Sequence, residues 1–138
     1  MERVSEALII SARKRLHLTT PYFNIRPSTI QLLQKRARQV VSIIILLPGK
    51  RIDKKCERFV ADSCIADFIT EPTVKMYRYQ RSMIHIKAIR LDDWISCVGS
   101  PNFNQRSRKK DFDVAMVVQD KNLASTLERH LKDDLALS

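Results

Sequence analysis

The chain has 138 residues, 44% of them hydrophobic and 29% charged. That length gives one domain with a real core and excludes two of ordinary size, and the balance of apolar and charged residues excludes a disordered chain. Lys and Arg number 25 against 15 acids, for a formal charge of +10 at pH 7, which favours anionic partners; nucleic acid and acidic lipid headgroups both qualify.

The elements follow in order. Val4, Leu8, Ile9 and Ala12 recur at helical spacing, and the β-branched end of "LHLTT" predicts a strand after them. Beyond "PYFNIRP", Ser28 is placed to cap a helix whose apolar face is Ile30, Leu33, Ala37 and Val40. The run "VVSIIILL" from Val40 to Leu47 has less than half of the roughly 20 residues that cross a bilayer as a helix, so it reads as a buried strand. Pro48 and Gly49 end it. The N-terminus has neither the basic start nor the small-residue cleavage site of a secretory signal, so nothing in it directs export. Ile52, Cys56, Phe59, Val60 and Ser63 predict a helix reaching to about Phe68. Glu71-Pro72 breaks it before the strand "VKMYRYQ".

Strands alternating with helices argue for right-handed crossovers in a largely parallel sheet. From Met83 the pattern changes: "MIHIKAIRL" and "WISCVG" are two strands joined by Asp92-Asp93, a link short enough for a hairpin. "DFDVAMVV" is a further strand, and Leu123, Leu127, Leu131 and Leu135 line a closing helix. No repeat, low-complexity tract or linker interrupts residues 1–138, so the expectation is a single α/β domain. Cys56, Cys64 and Cys97 are odd in number and lack zinc-site spacing, which speaks against disulfide and metal frameworks and fits the reduced cytoplasm.

Chemistry concentrates in residues 83–107. On a strand, His85 and Lys87 project from the same side about 7 Å apart, so one phosphate could touch both. Gly99, one of only two glycines, closes the neighbouring strand, where a missing Cβ lets the backbone approach a ligand. Ser100 and Asn102 bring hydroxyl and amide donors to the same end. Asp92, seven residues from His85, alternates onto the opposite face and reads as a scaffold group for its loop.

The joint spacing of His85, Lys87, Asp92, Gly99-Ser100 and Asn102 resembles the HxK-x4-D-x6-GS-x-N signature of the phospholipase D superfamily. "TTPYF", "ILLPGK" and "GSPNFNQRSRKKDFDVAMVV" resemble the carboxyl-terminal half of bacterial cardiolipin synthases and related phosphatidyltransferases. The resemblance implies a phospholipase D-like fold, a mixed, mostly parallel β-sheet flanked by helices on both faces. It implies His85, Lys87 and Asp92 as the catalytic motif and Ser100 and Asn102 as substrate-binding groups. Asp113 stands where the family usually carries the Glu that orients the histidine.

A phosphodiester is shielded by its negative oxygens, and a positioned neutral imidazole attacks it better than an alcohol does. His85 would form a phosphohistidine while Lys87, Ser100 and Asn102 stabilise the equatorial oxygens, with no metal and no cofactor. The leaving alkoxide also needs a general acid, which the superfamily supplies from a second HxK. His17 and His130 lack a Lys two residues on and read as ordinary core or surface histidines. The second motif therefore comes from a homodimer mate or from another half of a longer enzyme.

The expected partners are an anionic phospholipid and the membrane surface, with the protein cytoplasmic and peripheral; the cluster Arg106, Arg108, Lys109 and Lys110 beside the motif suits either lipid or DNA phosphates. Three functions stay open: a cardiolipin synthase-like phosphatidyltransferase first, then a single-motif phosphodiesterase acting on nucleic acid, then a silent binding module. Aromatic residues at 7% are few for base-stacking platforms and lean towards lipid.

Overall fold

The computed structural model describes residues 2–53, 55–66, 69–103 and 113–138. In chain order they form α1 (Glu2–Ser11), β1 (Arg15–Thr19), α2 (Pro27–Arg38), β2 (Ser42–Pro48), α3 (Lys55–Ala66), β3 (Val74–Tyr79), β4 (Ala88–Leu91), β5 (Ile95–Gly99), β6 (Ala115–Gln119) and α4 (Lys121–Leu135). The six strands make one mixed sheet in the order β3-β2-β1-β4-β5-β6.

β1 pairs parallel with β2, and β2 with β3, while β1–β4, β4–β5 and β5–β6 are antiparallel. The sheet is mixed, as expected, with its parallel pairing confined to β1, β2 and β3. The physical reason is connection length: helices separate β1, β2 and β3 and permit crossovers, whereas the short link between β4 and β5 can only reverse the chain. That link runs over Asp92, Asp93 and Trp94, one residue more than the sequence pattern suggested, and Asp92 takes a left-handed φ of 48°, which aspartate tolerates better than most side chains.

Alternation sorts the sheet into two faces. Leu16 and Leu18 of β1, Ile43, Ile45 and Leu47 of β2 and Ile89 and Leu91 of β4 pack with Leu8 and Ile9 of α1, Leu33 and Ala37 of α2 and Ala61 and Ile65 of α3 in the main core. Burying each large aliphatic side chain there stabilises the fold by roughly 1.5–3 kcal/mol. The opposite face is covered by α4, with Leu46, Ile84 and Leu131 at the centre of a smaller cluster that takes in Tyr77, Tyr79 and Leu135. Helices thus flank both faces, as expected.

Arg90, 4% exposed, ties α4 to the sheet: its Nε donates to the Ala124 carbonyl at 2.9 Å and its Nη2 to Glu128 at 2.9 Å and Asp93 at 3.2 Å. Its Nη1 stands 3.2 Å from His17 Nδ1. Asp120 caps the helix, accepting from the Leu123 N–H.

The start and end of α2 depart from the sequence reading. Its cap position is Arg26, whose side chain does not cap the helix, and Pro27 opens the first turn; Ser28 lies inside the helix. A proline there loses nothing, because first-turn N–H groups have no intrahelical partner. Val40, expected on the buried face, lies past the helix end, 78% exposed with φ 65°. Val40 N–H reaches Ala37 O and Val41 N–H reaches Arg36 O, the two reciprocal bonds of a Schellman end whose left-handed position usually belongs to glycine.

Candidate functional site

Strands β1 and β2 end at Thr19 and Pro48, and β4, running the other way, begins at Ala88 beside Thr19. The connection from β1 leads to one side of the sheet and β4 returns on the other, so the carboxyl ends of β1 and β2 open at the point where the strand order reverses. Open α/β sheets bind ligands in that crevice.

His85 and Lys87 lie at this end, but in the segment 83–87 just before β4 rather than inside the strand. The ladder still reaches Lys87, whose carbonyl accepts from Gly99 N–H at 3.3 Å. His85 is exposed and Lys87 half-buried. The Lys87 ammonium donates to the His85 carbonyl at 2.9 Å, which leaves two of its protons. Burial lowers the Lys87 pKa, and the charge of Asp113 opposes that shift.

β5 and β6 deliver the rest. Ser100 N–H donates to Val114 O, and Val114 N–H donates to Ser100 Oγ, each at 2.9 Å, while Ser100 Oγ–H reaches Asp113 Oδ1 at 2.9 Å. Asp113 Oδ2 is buried without a hydrogen bond among the described residues. No hydrogen bond among the described residues joins Asp113 to the His85 ring. Asn102 is half-buried in the following turn, and that turn is held to the β1 loop: Asn24 N–H donates to Phe103 O at 2.6 Å, and Phe23 pairs with Phe103.

Gly99 has a different cause from the one the sequence suggested. A Cβ on it would stand 2.6 Å from Ala115 Cα and 2.8 Å from its Cβ. The group that approaches this glycine is the β6 backbone, and the consequence is that Ser100 and Asp113 lie side by side.

Asp92 stands apart from this cluster, at the opposite end of β4. Its carboxylate accepts the backbone N–H groups of Arg13 at 3.2 Å, Lys14 at 2.8 Å and Arg15 at 2.9 Å. Burial alone would raise its pKa, but these three bonds and Arg15 hold it below the ordinary carboxylate value. The basic run Arg13-Lys14-Arg15 is therefore a backbone clasp around Asp92, with the Arg15 side chain also paired to Asp93. At the end of α2, Arg38 pairs with Glu71 at 2.8 Å. Arg106, Arg108, Lys109 and Lys110 lie outside the described residues.

The other two histidines line a pocket between the sheet and α4, with Thr19, Ile86, Ala88 and Arg90. His17, 7% exposed, sits beneath α4 beside Arg90; burial first, then the Arg90 charge, pushes its pKa down from 6.5 to about 4. It is a neutral acceptor at physiological pH. His130 is exposed on α4.

The stretch "TTPYF" supplies residues to which the sequence pattern gives no role. Tyr22, 8% exposed, sets its ring against that of His85 with centroids 6.2 Å apart and planes at 72°. Its hydroxyl donates to Asp53 Oδ2 at 2.6 Å. Burial and then the Asp53 bond raise its pKa to about 12, so it stays a neutral donor. Thr20, fully buried, donates from Oγ1 to the Tyr22 carbonyl at 3.0 Å.

A mixed sheet with helices on both faces and a His-Lys pair at its topological switch defines a phospholipase D-like α/β fold. The solved structure of a phospholipase D family member, Nuc from Salmonella typhimurium, superposes with a TM-score of 0.83 over 99% of this chain and 87% of its own, at 20% identity. Phosphatidylserine synthase of Haemophilus influenzae gives a TM-score of 0.72 at 19% identity, over 95% of this chain and 34% of its own.

The particular family follows from sequence. The model described as "Cardiolipin synthase, PLD-like domain" matches residues 6–135, and the chain belongs to that family. Cardiolipin synthase 1 of Staphylococcus epidermidis is 32% identical over 131 residues, which are 95% of this chain and 26% of that protein. The chain thus spans about a quarter of the length of the curated relatives it matches.

Proposed function

We propose that this domain carries one half of a phosphatidyltransferase site of the cardiolipin synthase kind, working through a phosphohistidine on His85. The observation that carries the reading is the convergence of an exposed His85, a partly desolvated Lys87 and the Ser100–Asp113 pair at the open end of the parallel strands. A His85 ring nitrogen attacks phosphorus, and the bond to the leaving alkoxide breaks. The Lys87 ammonium and the Asn102 amide stabilise the equatorial oxygens as charge builds. Ser100 keeps Asp113 in place. A second imidazole gives the leaving alkoxide its proton and then removes one from the incoming alcohol, whose oxygen displaces His85 from phosphorus.

That second imidazole is contributed from outside this domain, because His17 is buried, held neutral and committed to Arg90, and His130 is on α4. Under the leading reading it comes from another half of a longer enzyme, which agrees with relatives about four times this length. A second reading, a phosphodiesterase that pairs two copies of this chain across a two-fold axis, is favoured by a different fact: the alignment with Nuc covers nearly all of both chains.

The test is to incubate the protein with phosphatidylglycerol vesicles, or separately with DNA, quench it and look for a phosphorylated histidine by mass spectrometry. An adduct on His85 from lipid, absent in His85→Ala, is expected. An adduct formed from DNA alone transfers the assignment to the second reading, and an adduct on another residue in His85→Ala overturns both.

A further inference from the structure

A nucleophilic imidazole has to be held in one orientation, because misplacing it by an ångström costs on the order of a hundredfold in rate. The family resemblance implies Asp113 for that task, yet Asp113 gives Oδ1 to Ser100, and no hydrogen bond among the described residues reaches the His85 ring. What does meet the ring is Tyr22, edge-on at 6.2 Å between centroids. We propose that Tyr22, locked by Asp53, is the positioning residue of His85, so that an aromatic contact orients the imidazole of this domain. The inference rests on the reading of His85 as the nucleophile.

The local chain makes Tyr22 a rigid support. It follows Pro21, which fixes its own backbone, and its carbonyl accepts from the buried Thr20 hydroxyl. Its ring is buried and its far end is held at 2.6 Å by Asp53, a residue of the β2–α3 connection. Perpendicular ring pairs at this separation are attractive and directional. Because Asp53 is exposed, the lock can be removed without opening the core.

The test uses the full chain with labelled histidine and aromatic side chains. Wild type should show Tyr22–His85 ring cross-peaks, and Tyr22→Leu should shift the His85 carbon-bound ring protons by removing the neighbouring ring current. Formation of the His85 phosphoenzyme should fall on the order of tenfold to a hundredfold in Tyr22→Leu, in the maximal rate and not in KM, with a smaller fall in Tyr22→Phe, which keeps the ring. Unmoved His85 resonances, or equal losses in the Leu and Phe variants, overturn the proposal.

Asp53→Ala guards against a Tyr22→Leu protein that fails to fold. It should weaken the cross-peaks and slow phosphoenzyme formation several-fold, and unchanged peaks with an unchanged rate overturn the proposal as well. A wild type that never forms a phosphohistidine defeats the nucleophile reading, while the ring resonances still decide whether Tyr22 positions His85.

Discussion

At the scale of single residues, two ionisable groups tie stability to pH. His17 has a folded pKa of about 4 against an ordinary 6.5, so between those values the unfolded chain binds the extra proton. Its contribution is therefore complete above pH 6.5 and is lost as pH falls towards 4, in total roughly 3 kcal/mol at 1.36 kcal/mol per unit. Thermal melting from pH 7 to pH 4 should show this decline, and His17→Gln should flatten it. Asp92 is also depressed in the fold, so its contribution is present above the ordinary carboxylate range and lost below it. Asp92→Ala leaves three N–H groups without their acceptor and should lower stability by about 1–3 kcal/mol. Because the residue lies far from His85, the maximal rate should change little in protein that remains folded. That outcome separates a scaffold aspartate from a reactant.

At the scale of elements, the end of α2 offers a gain in stability. Val40 adopts a left-handed backbone that costs a β-branched residue about 1–2 kcal/mol. Val40→Gly removes that strain from an exposed position, and its melting temperature should rise. The strand pair β5–β6 offers the converse. Gly99→Ala places a methyl group 2.6 Å from Ala115 Cα, and backbone cannot swing aside as a side chain can. The pair must separate, taking Asp113 away from Ser100, so both stability and activity should fall. The attachment of α4 draws on Arg90: Arg90→Met removes the donors to the Ala124 carbonyl and to Glu128, which keeps Lys132 at 3.4 Å and Arg15 at 3.6 Å, and should cost about 1–3 kcal/mol, read as a lowered denaturation midpoint.

At the scale of the whole molecule, the proposed mechanism needs two such motifs, from another half of a longer enzyme or from a second copy of this chain. Sedimentation beside a phosphodiesterase assay should find turnover confined to species containing two such motifs. Activity that stays constant per chain on dilution to monomer would count against both readings. The excess of positive charge should also make binding to anionic vesicles fall as salt rises, since exposed charges are screened beyond about 10 Å at 0.1 M.

The sequence by itself determined most of the frame. Periodicity located the helices and strands, because a period of 3.6 or 2 is a local property of the chain. Strand alternation and the turn chemistry put His85, Lys87, Ser100 and Asn102 at one end, and the family resemblance added Asp113. The antiparallel half of the sheet was legible only as the β4–β5 hairpin, since pairing direction between distant strands leaves no local trace. Val40 read as core because its place in the helical period was right; only the tertiary course of the chain put it past the last turn.

The cause of Gly99 and the neighbours of His85 belong to the same class. Val114 and Ala115 come beside Gly99, Asp53 beside Tyr22, and Tyr22 beside His85, through strands brought together by the sheet. No spacing rule joins residues 22, 53 and 85. Only packing of the loops at the ends of β1 and β2 against the segment before β4 decides that contact, because side-chain proximity across a sheet depends on register and topology rather than on separation along the chain.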